Sequence, residues 1–241
     1  MVQVLGAAIA ILLGVSSFFI SLFSFIFGII TIFLTIFLSK IFKNLSSLFT
    51  LILSGIIISS FMAACLSLIK YLANYNTTLP AITFWLLGSF ENSTFKNVYI
   101  LLPIVIFSII ILLVISWRIN IVSLGKEEAI SRGLNYRVYR IVIILIATLL
   151  TASSVAFSGI ISWVGLIIPH FVRLIIGRNA KKSIILNALF GGTFMVIVDI
   201  FSRSITSSEI PLSAITGFFG SIIFVIILAT KRRNFYETIG N

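Results

Sequence analysis

From Met1 to Ser39 the chain carries no charged residue. Drawn as one helix, that stretch would be about 58 Å long at 1.5 Å per residue, whereas the hydrocarbon core of a bilayer is about 30 Å thick. It therefore reads as two crossings, about 2–16 and 18–38, joined by a hairpin near Gly14 to Ser17. Further apolar runs at about 47–69, 98–117, 140–157, 159–176, 184–203 and 213–230 bring the expected total to eight. Backbone polar groups inside lipid must be satisfied by helices or by a closed barrel. These runs are too long and too continuous for ten-residue alternating strands. The expected fold class is all-α, a polytopic transmembrane bundle forming one domain over 1–241.

Composition agrees. Hydrophobic residues make up 60% of the chain and charged residues 10%, with a mean hydropathy of +1.24; a soluble domain carries about 25% charge. The net charge of +11 would suggest nucleic acid in a soluble protein, but here its placement argues otherwise. Lys40 and Lys43, the basic residues around 118–140, Arg173, Arg178, Lys181 and Lys182, and Lys231, Arg232 and Arg233 fall on one side of eight alternating crossings. Only Lys70, Lys96 and Arg203 fall on the other. Basic loops mark the cytoplasmic face, so both ends are expected in the cytoplasm, with membrane lipid as solvent and no nucleic-acid partner. Val2-Gln3-Val4 offers no basic leader, and no small-residue cleavage pattern follows. A single cysteine, Cys65, excludes an internal disulfide and reads as a packed thiol.

The longest cytoplasmic connection, about 118–140, contains Gly125-Lys126-Glu127-Glu128-Ala129 and, four residues on, Gly133. Acids followed by a glycine suit a short helix with acids in its first turn and a glycine stop; a plain interfacial helix fits equally well. In the sixth apolar run Pro169 removes a backbone donor and is expected to kink or end the helix. His170, the only histidine, has no ligand-spaced partner for a metal. It reads as a polar side chain satisfying backbone freed by the proline. Asp199 and Arg203 sit four residues apart in the seventh run, where an intrahelical ion pair and a functional site are compatible readings. Gly191-Gly192 would allow close helix packing. Pro211, after Glu209-Ile210, suits the first turn of a short helix. No phosphate-binding loop, nucleophile triad or paired carboxylate site is present. No catalytic residue, metal or cofactor is expected, and ATP, if used, is bound by another chain.

Val164-Gly165-Leu166-Ile167-Ile168-Pro169-His170, followed by Arg173 and Gly177, resembles the signature of FecCD/BtuC-type permeases, membrane subunits of ABC importers for ferric siderophores, haem and cobalamin. Trp85-Leu86-Leu87-Gly88-Ser89, then Gly125, Glu127, Ala129 and Gly133, then Asp199, Arg203, Glu209-Ile210-Pro211, Thr216 and Gly220 resemble further family stretches, in order. The likeness runs from about Leu5 to Lys231 and meets the last eight of the family's roughly ten helices. The first two, and the R-N-P-L-A-x-P loop after them, have no counterpart. Lys126, Arg132, Arg178-Asn179-Ala180-Lys181, Ser207 and Ile222 depart from the pattern.

The resemblance implies a BtuC-like permease subunit in the bacterial cytoplasmic membrane, with ferric siderophore as the default cargo. It implies an ATPase docking on Gly125, Glu127, Glu128, Ala129 and Gly133. It also implies a solute-binding (lipo)protein meeting Arg203 and Glu209, and a second permease copy, identical or related. Gly165, Pro169, His170, Arg173, Asp199 and Pro211 would be structural motif positions. Haem or cobalamin import, a truncated non-transporting permease remnant and a secondary transporter are the alternatives. The last would need ionisable groups near the bilayer midplane.

Overall fold

The computed structural model describes residues 2–41, 47–91, 93–177, 179–206 and 209–239, and within them the side chains of all but 47–48 and 226–239. Lys43, Arg178 and Ser207 lie outside the described residues, as do the side chains of Lys231, Arg232 and Arg233. The described residues form helices and no strand: α1 (Val2–Leu12), α2 (Ser17–Ile41), α3 (Ser47–Leu72), α4 (Thr78–Leu87), α5 (Phe95–Val114), α6 (Ser116–Val122), α7 (Lys126–Ser131), α8 (Tyr136–Ser158), α9 (Val164–Ile176), α10 (Ala180–Ser204) and α11 (Leu212–Ile239). The all-α polytopic reading holds.

The eight expected crossings correspond to α1, α2, α3, α5, α8, α9, α10 and α11. Among the described residues five helices (α2, α3, α5, α8 and α10) are long and apolar enough to cross a bilayer. Two of the others are shorter than expected. Helix α1, 11 residues, covers about 16 Å, and α9, 13 residues, about 20 Å. α1 stops because Gly14 adopts φ +67°, a left-handed stop that glycine takes without a Cβ penalty. α9 starts only at Val164 because Gly159 (φ +69°) ends α8 and the chain runs without helix to Trp163. The expected 98–117 helix is instead two elements, α5 and α6, and α4 was not anticipated. Pro211 directly precedes the long α11 rather than opening a short helix.

The chain packs as two compact units. In the first (1–86, 92–108 and 140–159), α1 packs on α2 and α3. Helix α1 is buried: Ala7 and Ala10 have no exposed surface and Val4 has 1%. Its small residues permit close backbone approach. A Cβ on Gly6 would lie 2.6 Å from the Phe23 carbonyl oxygen, and one on Gly28 would lie 2.9 Å from the Ala152 Cβ.

In the second unit (87–91, 109–139 and 160–241) the core is Val198 of α10 with Leu212 and Ile215 of α11, flanked by Phe90, Ile161 and Met195. Trp163 precedes α9 with φ +69°, a conformation costly for a bulky residue. Its ring meets Phe224 edge-on at 6.1 Å, and its Cβ occupies the space beside Gly220, where an added Cβ would be 2.8 Å away. The glycine pair Gly191-Gly192, expected to mediate close packing, has open space at both Cβ positions among the described residues. The close approaches of this unit run through Gly220 instead.

Candidate functional site

Both ends of α10 carry polar constructions. This 25-residue helix is about 37 Å long at 1.5 Å per residue. At its last turn Arg203 Nε donates to both Asp199 oxygens, at 3.0 and 3.1 Å. The guanidinium also reaches Glu209, Nη1 to Oε1 at 2.9 Å. Ser89 Oγ donates to the other Glu209 oxygen at 3.1 Å and accepts from the Glu91 backbone N–H at 2.9 Å. Backbone bonds fix the frame: Ile210 N–H to Ser202 O at 3.1 Å and Leu212 N–H to Gly88 O at 3.0 Å. Ser202 Oγ adds a bond to Ile210 O at 2.6 Å.

The expected Asp199–Arg203 pair is therefore present, and the structure adds Glu209 and Ser89 to it. The Arg203 side chain is 45% exposed, Asp199 29% and Glu209 19%. Exposed pairs contribute little to stability. What the two carboxylates do is hold the guanidinium in one orientation, with three of its five N–H donors left for an approaching group. Asp199 lies about 29 Å along α10 from Ala180, near the helix end and already paired, which is unlike a midplane ion-coupling acid.

At the other end of α10, Asn179 caps the helix by accepting from the Lys182 N–H at 3.1 Å. Asn120 of α6 accepts from the Ala180 N–H at 2.9 Å. Two of the orphan donors of the first turn are thus satisfied, one of them by a residue sixty positions away. α6 continues through Gly125 (φ +117°) into α7. Here the sequence expectation holds in detail. α7 is short, with Glu127 and Glu128 in its first turn. It stops at Gly133 (φ +73°), with the Leu134 N–H returning to Ala129 O at 2.9 Å. Ala129 is fully buried and anchors the elbow. Glu128 pairs with Arg132 at 2.6 Å, leaving Glu127 exposed. The elbow frames a concavity of about 490 Å³ lined by Lys126, Ile130, Gly133, Tyr136 and Arg137.

In α9, Pro169 does not end the helix, which continues to Ile176. His170 Nδ1 donates to the Leu166 carbonyl at 2.8 Å. The expectation that His170 satisfies backbone freed by the proline is therefore not met: the carbonyl deprived of its donor by Pro169 is that of Gly165, four residues back, and the His170 side chain bonds Leu166 instead. His170 also meets Phe224 edge-on at 5.7 Å. Gly165 has open space around its Cβ position, and Arg173 occupies the last turn, where a cation complements the helix dipole. Pro211 supplies the carbonyl that accepts the Ala214 N–H at 3.0 Å, starting α11. Among the described residues no group of His, Cys, Asp or Glu is placed to hold a metal.

Comparison with known proteins follows this geometry. A model of the FecCD transport family matches residues 1–230. The Molybdate import system permease protein MolB of Haemophilus influenzae is 37% identical over 229 residues, 95% of this chain and 67% of MolB. The Probable iron chelatin transport system permease protein of Helicobacter pylori is 31% identical over 228 residues, covering 95% and 68%. A solved metal-chelate type ABC transporter in an inward-facing conformation superposes with a TM-score of 0.89 at 35% identity, covering 95% of this chain and 73% of that one. The chain spans about two thirds of the length of these two curated relatives.

Proposed function

The chain belongs to the FecCD transport family, and from that premise we propose that it is the permease subunit of an ABC importer in the cytoplasmic membrane. A separate ATPase docks on the α6–α7 elbow through Gly125, Glu127, Glu128, Ala129 and Gly133. A solute-binding protein meets Arg203 and Glu209, and a second permease copy completes the path. Both ends of the chain face the cytoplasm. The observation that carries this reading is α10 itself. One continuous helix joins the elbow, through the Asn120–Ala180 bond, to the Arg203 cluster at its far end. ATP-driven closure at one membrane face and partner docking at the other require such a rigid connection.

The cargo proposed is a ferric siderophore. Molybdate is the second reading, favoured by the 37% identity to a permease of that name. A tagged chain extracted from its native membranes should bring down an ABC ATPase and a solute-binding protein. Gly133→Val and Glu127→Lys should lose the ATPase alone, and Arg203→Glu the binding protein alone. Recovery of the chain without either partner refutes the proposal. Uptake of radiolabelled ferric siderophore against radiolabelled molybdate in cells expressing the whole system separates the cargo readings. A C-terminal alkaline phosphatase fusion should be inactive, since that enzyme works only outside the cytoplasm.

A further inference from the structure

The concavity of about 490 Å³ at the elbow is framed by α7, the turn at 133–135 and the start of α8. Lys126 and Ile130, four residues apart, share one face of α7 and line it together with Asn135 and Arg137. Gly133 ends α7 at φ +73°, and the turn that follows brings Arg137 to the same hollow as Lys126. The side chains that line it offer mainly donors. Lys126 and Arg137 are exposed, and among the described residues neither cation has a hydrogen bond or ion pair. Asn135 uses its side-chain oxygen on the Val138 N–H at 3.3 Å, which leaves its NH₂ as a third donor. No carboxylate among the described residues lines the hollow. Glu128 is taken by Arg132 at 2.6 Å, and Glu127 lies outside the lining.

Two cations that share one hollow without a counter-charge repel each other, and a carboxylate between them relieves the repulsion. Charge-assisted hydrogen bonds from an ammonium, a guanidinium and an amide suit such an acceptor. The hollow also has an apolar member, Ile130, which is 57% exposed. The complementary surface therefore carries an acid next to an apolar side chain. An anionic membrane surface fits less well, because Glu127, exposed and adjacent to Lys126 in the chain, would meet it as a like charge. A folded protein can set an acid against the hollow and spare Glu127.

Resting on the assignment of the elbow to the ATPase, we propose that this hollow seats one acidic side chain, an Asp or Glu, of the ATPase face that docks there. Its carboxylate accepts from the Lys126 ammonium, the Arg137 guanidinium and the Asn135 amide, and the apolar surface beside it covers Ile130. The contact also selects the partner. An ATPase with a base at this point would meet two cations, and such a like-charge clash is a means of rejecting wrong partners.

The test uses the full chain in detergent with the ATPase that co-purifies with it. A carbodiimide, which joins an amine to a carboxylate in direct contact, should couple Lys126 to an Asp or Glu of the ATPase, identified by mass spectrometry of the joined peptides. The double variant Lys126→Gln, Arg137→Gln should bind the ATPase about tenfold more weakly at low salt, the size of one charge-assisted hydrogen bond. The deficit should shrink at high salt, which screens the wild-type contact. Changing the coupled acid to Lys in the ATPase should weaken binding to the wild-type chain and recover binding to Lys126→Glu, Arg137→Glu. Lys40→Gln, which removes a cation from the end of α2, should change nothing. Loss of the ATPase in Gly133→Val with full binding by the double Gln variant overturns the proposal and leaves the elbow as the docking site. Full binding by both removes the elbow from the contact altogether, and recovery of no ATPase at all takes the proposal down with the reading it rests on. A double variant that loses phosphatidylglycerol but keeps the ATPase would assign the hollow to lipid, and equal weakening by Lys40→Gln would show diffuse charge attraction; either result overturns the proposal.

Discussion

Replacing Gly220 with Ala should destabilise the chain, whereas the same change at Gly191 should not. Helix propensity alone favours Ala over Gly by about 1 kcal/mol at either position. At Gly191 nothing stands within 4 Å of the new Cβ, so that gain, about 1 kcal/mol or less, is the whole effect. At Gly220 the new Cβ would lie 2.8 Å from the Ile167 Cδ1, 2.8 Å from the Trp163 Cβ and 3.2 Å from the Trp163 Cγ. Ile167 can rotate its terminal methyl away. The Trp163 Cβ cannot move without its backbone, which is already held at φ +69° with the indole against Phe224. Overpacking of this kind costs about 1–3 kcal/mol, and a rigid neighbour places it near the upper figure. After the propensity gain, Gly220→Ala should lose about 1–2 kcal/mol, some 2–3 kcal/mol below Gly191→Ala. For a chain of this size that separates the two midpoints by about 4–12 °C. Thermal unfolding of both variants in one detergent, followed by helical circular dichroism and by tryptophan fluorescence, measures it. A Gly220→Ala midpoint at or above that of Gly191→Ala would refute the reasoning, because it would mean that the Trp163 backbone yields at no cost.

Four further outcomes follow from the polar contacts. Asn120→Leu removes the acceptor for the Ala180 N–H and should cost about 0.5–2 kcal/mol, visible as faster hydrogen exchange confined to the first turn of α10. His170→Phe keeps a ring against Phe224 but loses the bond to the Leu166 carbonyl; it should cost about 1 kcal/mol, and His170→Ala more, in the same unfolding assay. Glu128→Ala breaks an exposed pair with Arg132 and should leave stability within about 0.5 kcal/mol, so any loss of ATPase in pull-down would be a defect of the contact surface. Ser89→Ala frees one Glu209 oxygen and should weaken capture of the solute-binding protein by less than Arg203→Glu does, with unchanged ATPase recovery.

The sequence was most informative where local chemistry decides the outcome. Glu127, Glu128 and Gly133 specify α7 through the helix dipole and the left-handed stop, and the helix appears with those residues in those places. The Asp199–Arg203 pair follows from a four-residue spacing on one helix. It was least informative where two distant segments meet. Nothing in the sequence near Asn120 marks it as the cap of a helix sixty residues on, nor Ser89 as the partner of Glu209 across 120 residues. Glycine shows the same division. Gly191-Gly192 is conspicuous in the sequence and has open space at both Cβ positions among the described residues, while Gly6, Gly28 and Gly220, isolated in apolar runs, are positions where an added Cβ would meet a neighbour at under 3 Å.

Apolar length alone does not say what surrounds a helix. In lipid and in a protein interior the same residues are stable, so a hydrophobic run reports burial without saying which of the two surrounds it. α1 is an 11-residue apolar helix buried among its neighbours, whereas α2, equal to it in apolarity, turns exposed Phe, Ile and Leu side chains outward. The distinguishing signal was present in the small side chains: Gly6, Ala7, Ala8 and Ala10 are buried, Gly6 against the Phe23 backbone, while Phe18, Phe33 and Phe37 remain 59%, 62% and 65% exposed. Residue size within an apolar run, more than its length, separates the helices that this chain keeps inside from those it offers to the bilayer.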